Sequence, residues 1–421
     1  MCQLEKAISI VKELKKRGHK AYFCGGCVRD YLLKRKPKDY DIVTDAHIED
    51  IKRIFTHTIA IGAKFGIMKV LSGKESFEVA TFRKDGEYQD GRRPVSVAFC
   101  DEKEDAMRRD FTVNGLFLEP DSYTIIDYVG GQKDIENKLI RTIGNPHSRF
   151  SEDHLRLMRA VRFAAQLSFE IVEETWEALV SMSKLIQTVS PERIRDELTN
   201  MLLCSHPDKA ILNLKESKLL YSILPEMEGY QDNFSLTTEM LALASPLPGL
   251  DLGLGILLFP FLCFPAQGRC GEKKLVSVTK RLCLSRKTSD YLASILKNYH
   301  SFQQVPDMSK ASLKRFFAIP EFPDLLELHR LEQTACKKNL DIFFYCQSKF
   351  KEWGMENVKP VPLVHGEDLM NLGFMPGPLF KKILYFIEEQ QLEGSISTRK
   401  DAINLIKSHF GEGENIETKK I

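Results

Sequence analysis

The sequence predicts an α+β protein, with a small mixed sheet in roughly its first 145 residues and helices from there to the end. Three observations predict it. Up to about residue 145, short β-type runs alternate with helical ones. From Ser151 onward the apolar spacing changes to a period of 3.6 and stays there. At 421 residues the chain is also too long for one compact core, so several packed units are expected.

Taken in order, residues 5–17 have helical spacing, and AYFC (21–24) is a short buried strand. Gly25-Gly26 follows, then a helical stretch to about Lys34. DIVT (41–44), THTIAIG (56–62), GIMKVLSG (66–73) and SFEVATF (76–82) alternate β-branched and aromatic residues as strands do. VSVAFC (95–100) and a run near Tyr123–Tyr128 are candidate additions to the sheet. Beyond it, SEDHLRLMRAVRFAAQLSF (151–169) has an acidic start and an apolar stripe, a good helix opening. Ser190 is placed as an N-cap, with Pro191 at the first helical position. Loop signals fall near 246–254, 265–272, 303–309 and 372–378, and GEGENIETKK (411–420) reads as a frayed tail.

Sixty basic against fifty-eight acidic residues leave a net charge of +2, so any nucleic-acid surface must be a local patch. The most apolar stretch, Leu250 to Phe264, holds Asp251, two glycines and Pro260 and is too short to span a bilayer; the N-terminus lacks a secretory h-region. No membrane association and no obligate protein partner is expected. Ten cysteines thinly spread over the chain favour reduced thiols in a cytoplasm.

Chemistry concentrates first in CGGCVRD (24–30) and KDYDIVTDA (38–46). Gly25 and Gly26, between a strand and a helix, let backbone approach a phosphate, and Arg29 in the first helical turn can pair with one. Asp39 and Asp41 stand two apart at a strand start, which places both carboxylates on one face. Like charges so close repel unless a cation lies between them, and Mg²⁺ prefers carboxylate oxygens plus substrate phosphates. Glu78, central in its strand, completes a two-metal site for in-line phosphoryl transfer if it points to the same side. Taken singly, a D-x-D pair is a solvated loop and a strand glutamate is the wet face of a sheet.

GGxVRD, the D-x-D pair, Glu78 in its strand and RRDFTVNGLF (108–117) together resemble the polymerase-β-like nucleotidyltransferases of the class II tRNA nucleotidyltransferase and bacterial poly(A) polymerase family. YVGGQKDI (128–135), SEDHLR and SPERIRDEL (190–198) continue the resemblance in order, and HGEDLMNLGFMPGP (365–378) and QLEGSISTRKDAI (391–403) are similar to the family's tail. The resemblance implies a catalytic head (1–145), a helical neck that reads the base (146–235), a body (236–350) and an RNA-binding tail (351–421). It implies template-independent addition of C and A from CTP and ATP to the 3′ end of tRNA, with Mg²⁺ held by Asp39 and Asp41.

Within that frame Arg108 and Arg109 supply positive charge for a triphosphate, Asp110 is placed to orient an arginine, and Asn114 can bond a ribose hydroxyl. Asp153 and Arg156 are spaced three apart, which on a helix puts them on one face, and with Glu152 they match the family's base-reading EDxxR. A carboxylate accepts and a guanidinium only donates, so the pair suits the amino group and ring nitrogen of cytosine or adenine and opposes uracil and guanine. Arg159 and Arg162 continue the stripe, as holders of phosphate or base or as groups that orient Asp153. ATFRKDGEYQDGRRP (80–94) resembles the flexible loop that helps the family switch from CTP to ATP. Lys34, Arg35, Lys36 and Lys38 are candidate phosphate contacts.

Cys24-Gly-Gly-Cys27 has redox spacing, but its glycines double as the phosphate turn and no second redox signature follows. The histidines include no H-E-x-x-H. The rival readings are a poly(A) polymerase, an A-only adding enzyme and a catalytically silent RNA-binding protein. IGAKFGIM (61–68) is nearer the tRNA enzymes than the basic segment of the poly(A) polymerases, although Ile67 replaces their usual Thr.

Overall fold

The computed structural model describes residues 2–62, 66–86, 88, 91, 95–230, 234–263 and 270–411. Helix α1 (Gln3–Lys16) buries Ala7, Ile10, Val11 and Leu14, the single stripe of an amphipathic helix. β1 (Ala21–Cys24), α2 (Gly26–Leu32), β2 (Asp41–Thr44) and α3 (Ile48–Ile54) follow. β3 (Thr58–Gly62), β4 (Ile67–Ser72) and β5 (Glu75–Thr81) form an antiparallel meander.

β6 (Arg83–Asp85) and β7 (Val97–Phe99) pair with each other in a separate two-stranded ribbon. The segment 95–100 was expected in the main sheet. Its apolar side chains Val95 and Phe99 are exposed, so it has no buried face with which to join. After α4 (Glu102–Met107), β8 (Phe117–Glu119) and β9 (Thr124–Ile126) close a seven-stranded sheet of order β3-β4-β5-β2-β1-β8-β9. β2 and β5 run parallel while its other neighbours are antiparallel, so the sheet is mixed, as expected. Along β5, Phe77, Val79 and Thr81 are buried, and Ser76 and Glu78 lie on the opposite, exposed face.

Next come α5 (Gly131–Glu136), β10 (Leu139–Ile140), α6 (Pro146–Glu152), α7 (Arg156–Leu167), β11 (Glu170–Ile171), α8 (Glu173–Met182) and α9 (Pro191–Leu202). β11 pairs in parallel with β10, a strand beyond residue 151 that two residues of pattern could not announce. The expected helix from Ser151 is broken in two. Asn145 caps α6 through Ser148 N–H and Pro146 fills its first turn, so the acidic residues 152–153 end one helix rather than begin another. Asp153 is extended (φ −141°, ψ 106°), and α7 starts at Arg156. Ser190 and Pro191 open α9 as expected, although the Ser190 hydroxyl makes no capping bond. The loop expected at 246–254 gives way to a helix at Leu250–Leu257, with Leu252 and Leu254 buried.

Two compact units result: 1–253 with 277–284, and 254–276 with 285–421. The second is helical among its described residues. Phe302, Phe316, Phe317 and Phe322 pack together in one part, Phe316 edge to face with both Phe302 and Phe322 and Phe317 tilted against Phe322. Leu369, Ile383, Ile387, Ala402 and Ile406 form a core for its last helices. The tail expected to fray lies outside the described residues beyond 411. Phe77→Ala should lower head stability by about 3–5 kcal/mol in a urea titration, whereas Ser76→Ala on the outer face should change it by no more than about 0.5 kcal/mol.

Candidate active site

The sheet and α7 border an open cleft of about 710 Å³, and it is lined by the candidate metal and nucleotide residues, while Glu152 and the basic residues Lys34, Arg35, Lys36 and Lys38 lie outside its lining. Gly25, Gly26 and Arg29 come from the β1–α2 turn, Asp39 and Asp41 from the approach to β2, and Glu78 from β5. Arg108, Arg109, Asp110 and Asn114 follow α4, and Asp153, Arg156, Arg159 and Arg162 come from the α6–α7 break and α7.

One wall is acidic. Register pairs Cys24 with Asp41 across β1–β2 and Ile42 with Val79 across β2–β5, which brings Glu78 beside Asp41. Asp41 is exposed by area, yet what it faces is the cleft, whose walls thin its hydration. Desolvation pushes its pKa up to about 6, Glu78 and Asp39 add repulsion, and Arg109 opposes them. The donors are carboxylate oxygens, the hard type Mg²⁺ takes, and their crowding is what a cation relieves. Among the described residues no three acidic, His or Cys side chains form a cage by themselves. Water and substrate phosphate would complete the shell, the way Mg²⁺ is usually held. The residues present fit the ion.

The facing wall is built of arginines held on carboxylates. Asp105 is fully buried and accepts from Arg108 (Nη2, 2.7 Å), Arg109 (Nη2, 2.9 Å) and the Arg83 N–H (3.2 Å). Burial alone would raise its pKa, but Arg109 and Arg108 outweigh it and hold it low. Asp110 accepts from Arg159 and from Asn114 Nδ2 (3.2 Å). Burial works against this carboxylate too, but Arg159 and Arg156 keep it at about 2. Asn114 Oδ1 takes a bond from Arg29 (2.7 Å), whose other hydrogen bonds go to Asp30. Arg29 is therefore turned toward protein groups rather than open space. Gly25 sits at φ 70°, ψ −129°, and its N–H donates to the Leu116 carbonyl; a Cβ there would lie 3.3 Å from Arg109 Nη1. Phe163 carries the guanidiniums of Arg162 (4.2 Å), Arg159 (5.1 Å) and Arg29 (5.4 Å) around its ring.

Asp153 and Arg156 both reach the cleft, but the expected reason fails: Asp153 is not helical, so they do not share a helix face. Different groups hold them. Arg156 contacts Glu152 and the carbonyls of Arg149 (3.0 Å) and Arg108 (3.3 Å). Asp153 takes the Leu155 N–H (3.1 Å) on Oδ1 and Arg193 Nη2 (2.8 Å) on Oδ2. Nor do Arg159 and Arg162 bond to Asp153; Arg159 goes to Asp110, and Arg162 to Glu197 (2.6 Å) and Gln166 (3.1 Å). The expected loop at 80–94 is partly outside the described residues (87, 89, 90, 92–94). Of the remainder, Tyr88 bonds Asp85 (2.8 Å) and the Gly91 carbonyl accepts from His154 N–H (3.0 Å). Lys34, Arg35, Lys36 and Lys38 are exposed. Cys24 and Cys27 are free buried thiols, and burial pushes Cys24 up to about 11.

Sequence reasoning missed Asp105, Glu197, Arg193 and Phe163. The i, i+3, i+4 spacing of Asp105 to Arg108 and Arg109 on one helix end was a readable signal. Glu197 and Arg193 lie within SPERIRDEL, quoted above only for its resemblance; their pairing with distant residues had no local signal.

Known proteins match this chain in sequence and in fold. Residues 21–141 match the family described as "Poly A polymerase head domain", and 168–230 match "Probable RNA and SrmB- binding site of polymerase A". That makes the class a nucleotidyltransferase. The chain is 34% identical over 405 residues to a CCA-adding enzyme of Bacillus velezensis, covering 94% of this chain and 96% of that one. It is 32% identical over 424 residues to the Enterococcus faecalis CCA-adding enzyme, covering 98% of each. A crystal structure of the Bacillus stearothermophilus CCA-adding enzyme in complex with CTP superposes with a TM-score of 0.79 at 27% identity, covering 97% of this chain and 98% of that one. The chain belongs to the CCA-adding enzyme family.

Two outcomes are expected of the site. Asp105→Ala strands two partly buried guanidiniums beside an emptied buried position and should lower stability by about 3 kcal/mol in a urea titration. Asp41 ionises less readily folded (about 6) than unfolded (about 3.9). Stability it supports at low pH is thus lost as pH rises through 6. Asp41→Asn should therefore melt above the parent at pH 8, with the difference gone near pH 4.

Proposed function

We infer that this protein adds C and A nucleotides to the 3′ end of tRNA, taking them from CTP and ATP and releasing pyrophosphate. The observation that carries this reading is the joining, in one cleft, of an acidic wall (Asp39, Asp41, Glu78) to a wall of partly buried arginines and the Asp153–Arg156 pair. The RNA 3′-hydroxyl attacks the α-phosphorus beside the acidic wall. Arg108 and Arg109, fixed by Asp105, stand where a triphosphate needs positive charge. The nucleotide's base edge lies against Asp153 and Arg156. Asp153 accepts from an exocyclic amino group, and Arg156 donates to the adjacent ring nitrogen. Arg156 has five donors and three hydrogen bonds to protein, which leaves it donors for a base. Uracil and guanine would set donor against donor and acceptor against acceptor, at about 1–3 kcal/mol per buried group.

Heads of this kind generally work with a divalent metal, and Asp39 and Asp41, with Glu78 beside them, are the residues that would hold Mg²⁺. When bound, it supplies Lewis-acid activation of the hydroxyl and neutralises the departing pyrophosphate. Asn114 and Arg29 keep the neighbouring turn and Asp110 in register. In this reading residues 1–145 are the catalytic head, 146–235 the neck, 236–350 the body and 351–421 the RNA-gripping tail, and the segment 80–94 takes part in the change from CTP to ATP. Among the described residues no helix is long and apolar enough to cross a membrane. The free state of the described cysteines supports a cytoplasmic setting.

The test offers the protein three RNAs, each with every labelled NTP: tRNA lacking its whole CCA end, tRNA lacking only the final A, and an unrelated RNA. CCA restored on the first and A on the second is the expected result. A on the second alone would mean an A-only enzyme, and a long A tract on all three a poly(A) polymerase. Asp39→Ala should abolish incorporation, and Mg²⁺ should raise the melting temperature of the parent but not of this variant. Incorporation that survives Asp39→Ala would refute the metal assignment.

A further inference from the structure

Asp153 has an unusual support. It lies in the break between α6 and α7 with extended backbone, so no helix fixes the direction of its side chain. What fixes it is one local N–H, from Leu155, and one guanidinium from a different element, Arg193 in the first turn of α9. Arg193 stands four residues before Glu197, so both lie on the α9 face that meets the arginine stripe of α7. Arg193 itself lines the cleft. Its Nη2 bonds Asp153, whereas its buried Nη1 has no hydrogen-bond partner among the described residues. A buried donor left without a partner carries its full loss of hydration, so a protein keeps one for a reason other than stability.

We propose that Arg193 is a positioning residue for base selection: it aims the Asp153 carboxylate at the incoming base. The inference rests on the reading of Asp153 as the group that accepts from the exocyclic amine. It adds that the two halves of the base-reading pair are set independently, Arg156 by Glu152 on its own segment and Asp153 by α9. With Arg193 removed, Asp153 can turn to other donors that line the same cleft, Arg159 among them. The carboxylate then no longer meets the amino group at a fixed angle, and the preference for C over U falls. An ordinary staple between α9 and the α6–α7 break would behave differently. Losing it would lower the melting temperature and weaken every nucleotide alike.

The experiment measures the dissociation constants of CTP and UTP, with Mg²⁺, for the full-length parent, Arg193→Leu, Arg193→Lys, Asp153→Asn and the Arg193→Leu/Asp153→Asn double variant, and follows thermal unfolding of each. Arg193→Leu should lose about ten-fold of the CTP-over-UTP preference, Arg193→Lys should restore most of it, and the double variant should discriminate no worse than Asp153→Asn alone. If Arg193→Leu does not fold, Arg193→Gln, which drops the charge and keeps much of the volume, is measured in its place with the same direction expected. An unchanged preference, or a double variant in which the two losses multiply, would overturn the inference. A parent that prefers CTP while Asp153→Asn keeps that preference would instead overturn the reading of Asp153 on which it rests.

Discussion

Arginines three residues apart on one helix cannot face a common cleft unless anions stand between them. Arg156, Arg159 and Arg162 on α7 meet that constraint by drawing on Glu152, Asp110 and Glu197 respectively, each from a different element. Asp110 belongs to the head and Glu197 to α9, so the ion pairs that make the arginines tolerable also set the sheet, α7 and α9 around one space. Phe163 adds a ring beside which the guanidiniums of Arg159, Arg162 and, from α2, Arg29 lie. A buried ion-pair set of this kind is weak evidence for stability. Here its consequence is geometric: the guanidinium donors are already placed, on the same cleft as the acidic wall.

The two walls balance each other electrically. Asp39, Asp41 and Glu78 repel one another, and the rise of Asp41 to about 6 records that repulsion together with lost hydration. Arg109 is the positive group that lowers it, and Arg109 is in turn fixed by Asp105. A substitution at Asp105 would thus be felt at the acidic wall without touching it, through a guanidinium that has lost its anchor.

Much of this was legible in the sequence, for particular reasons. Strong alternation in SFEVATF placed Glu78 on the face opposite Phe77, and strand pairing then set it beside Asp41. The family-like order of GGxVRD, D-x-D, RRD and EDxxR named residues that line one cleft. The α6–α7 break was hidden because the signal lay upstream, in Asn145-Pro146, while the acidic residues 152–153 mimicked a helix start. Strands β10 and β11 are two residues each, too short for a period to show. Ribbon β6–β7 pairs by itself because its apolar residues have no core to enter. The SPERIRDEL motif held Arg193 and Glu197, but their partners could not be read because they lie some 35 to 40 positions away in the chain and only tertiary packing brings them together.

The central claim is that Asp153 reads an exocyclic amino group. The most direct test compares CTP with the triphosphate of the pyrimidin-2-one riboside, which is CTP without that amino group, in addition to tRNA that lacks its CCA end. Loss of the one contact should lower kcat/KM by about 10–100-fold, and Asp153→Ala should erase the difference between the two nucleotides. Equal use of both by the unaltered protein would contradict the account.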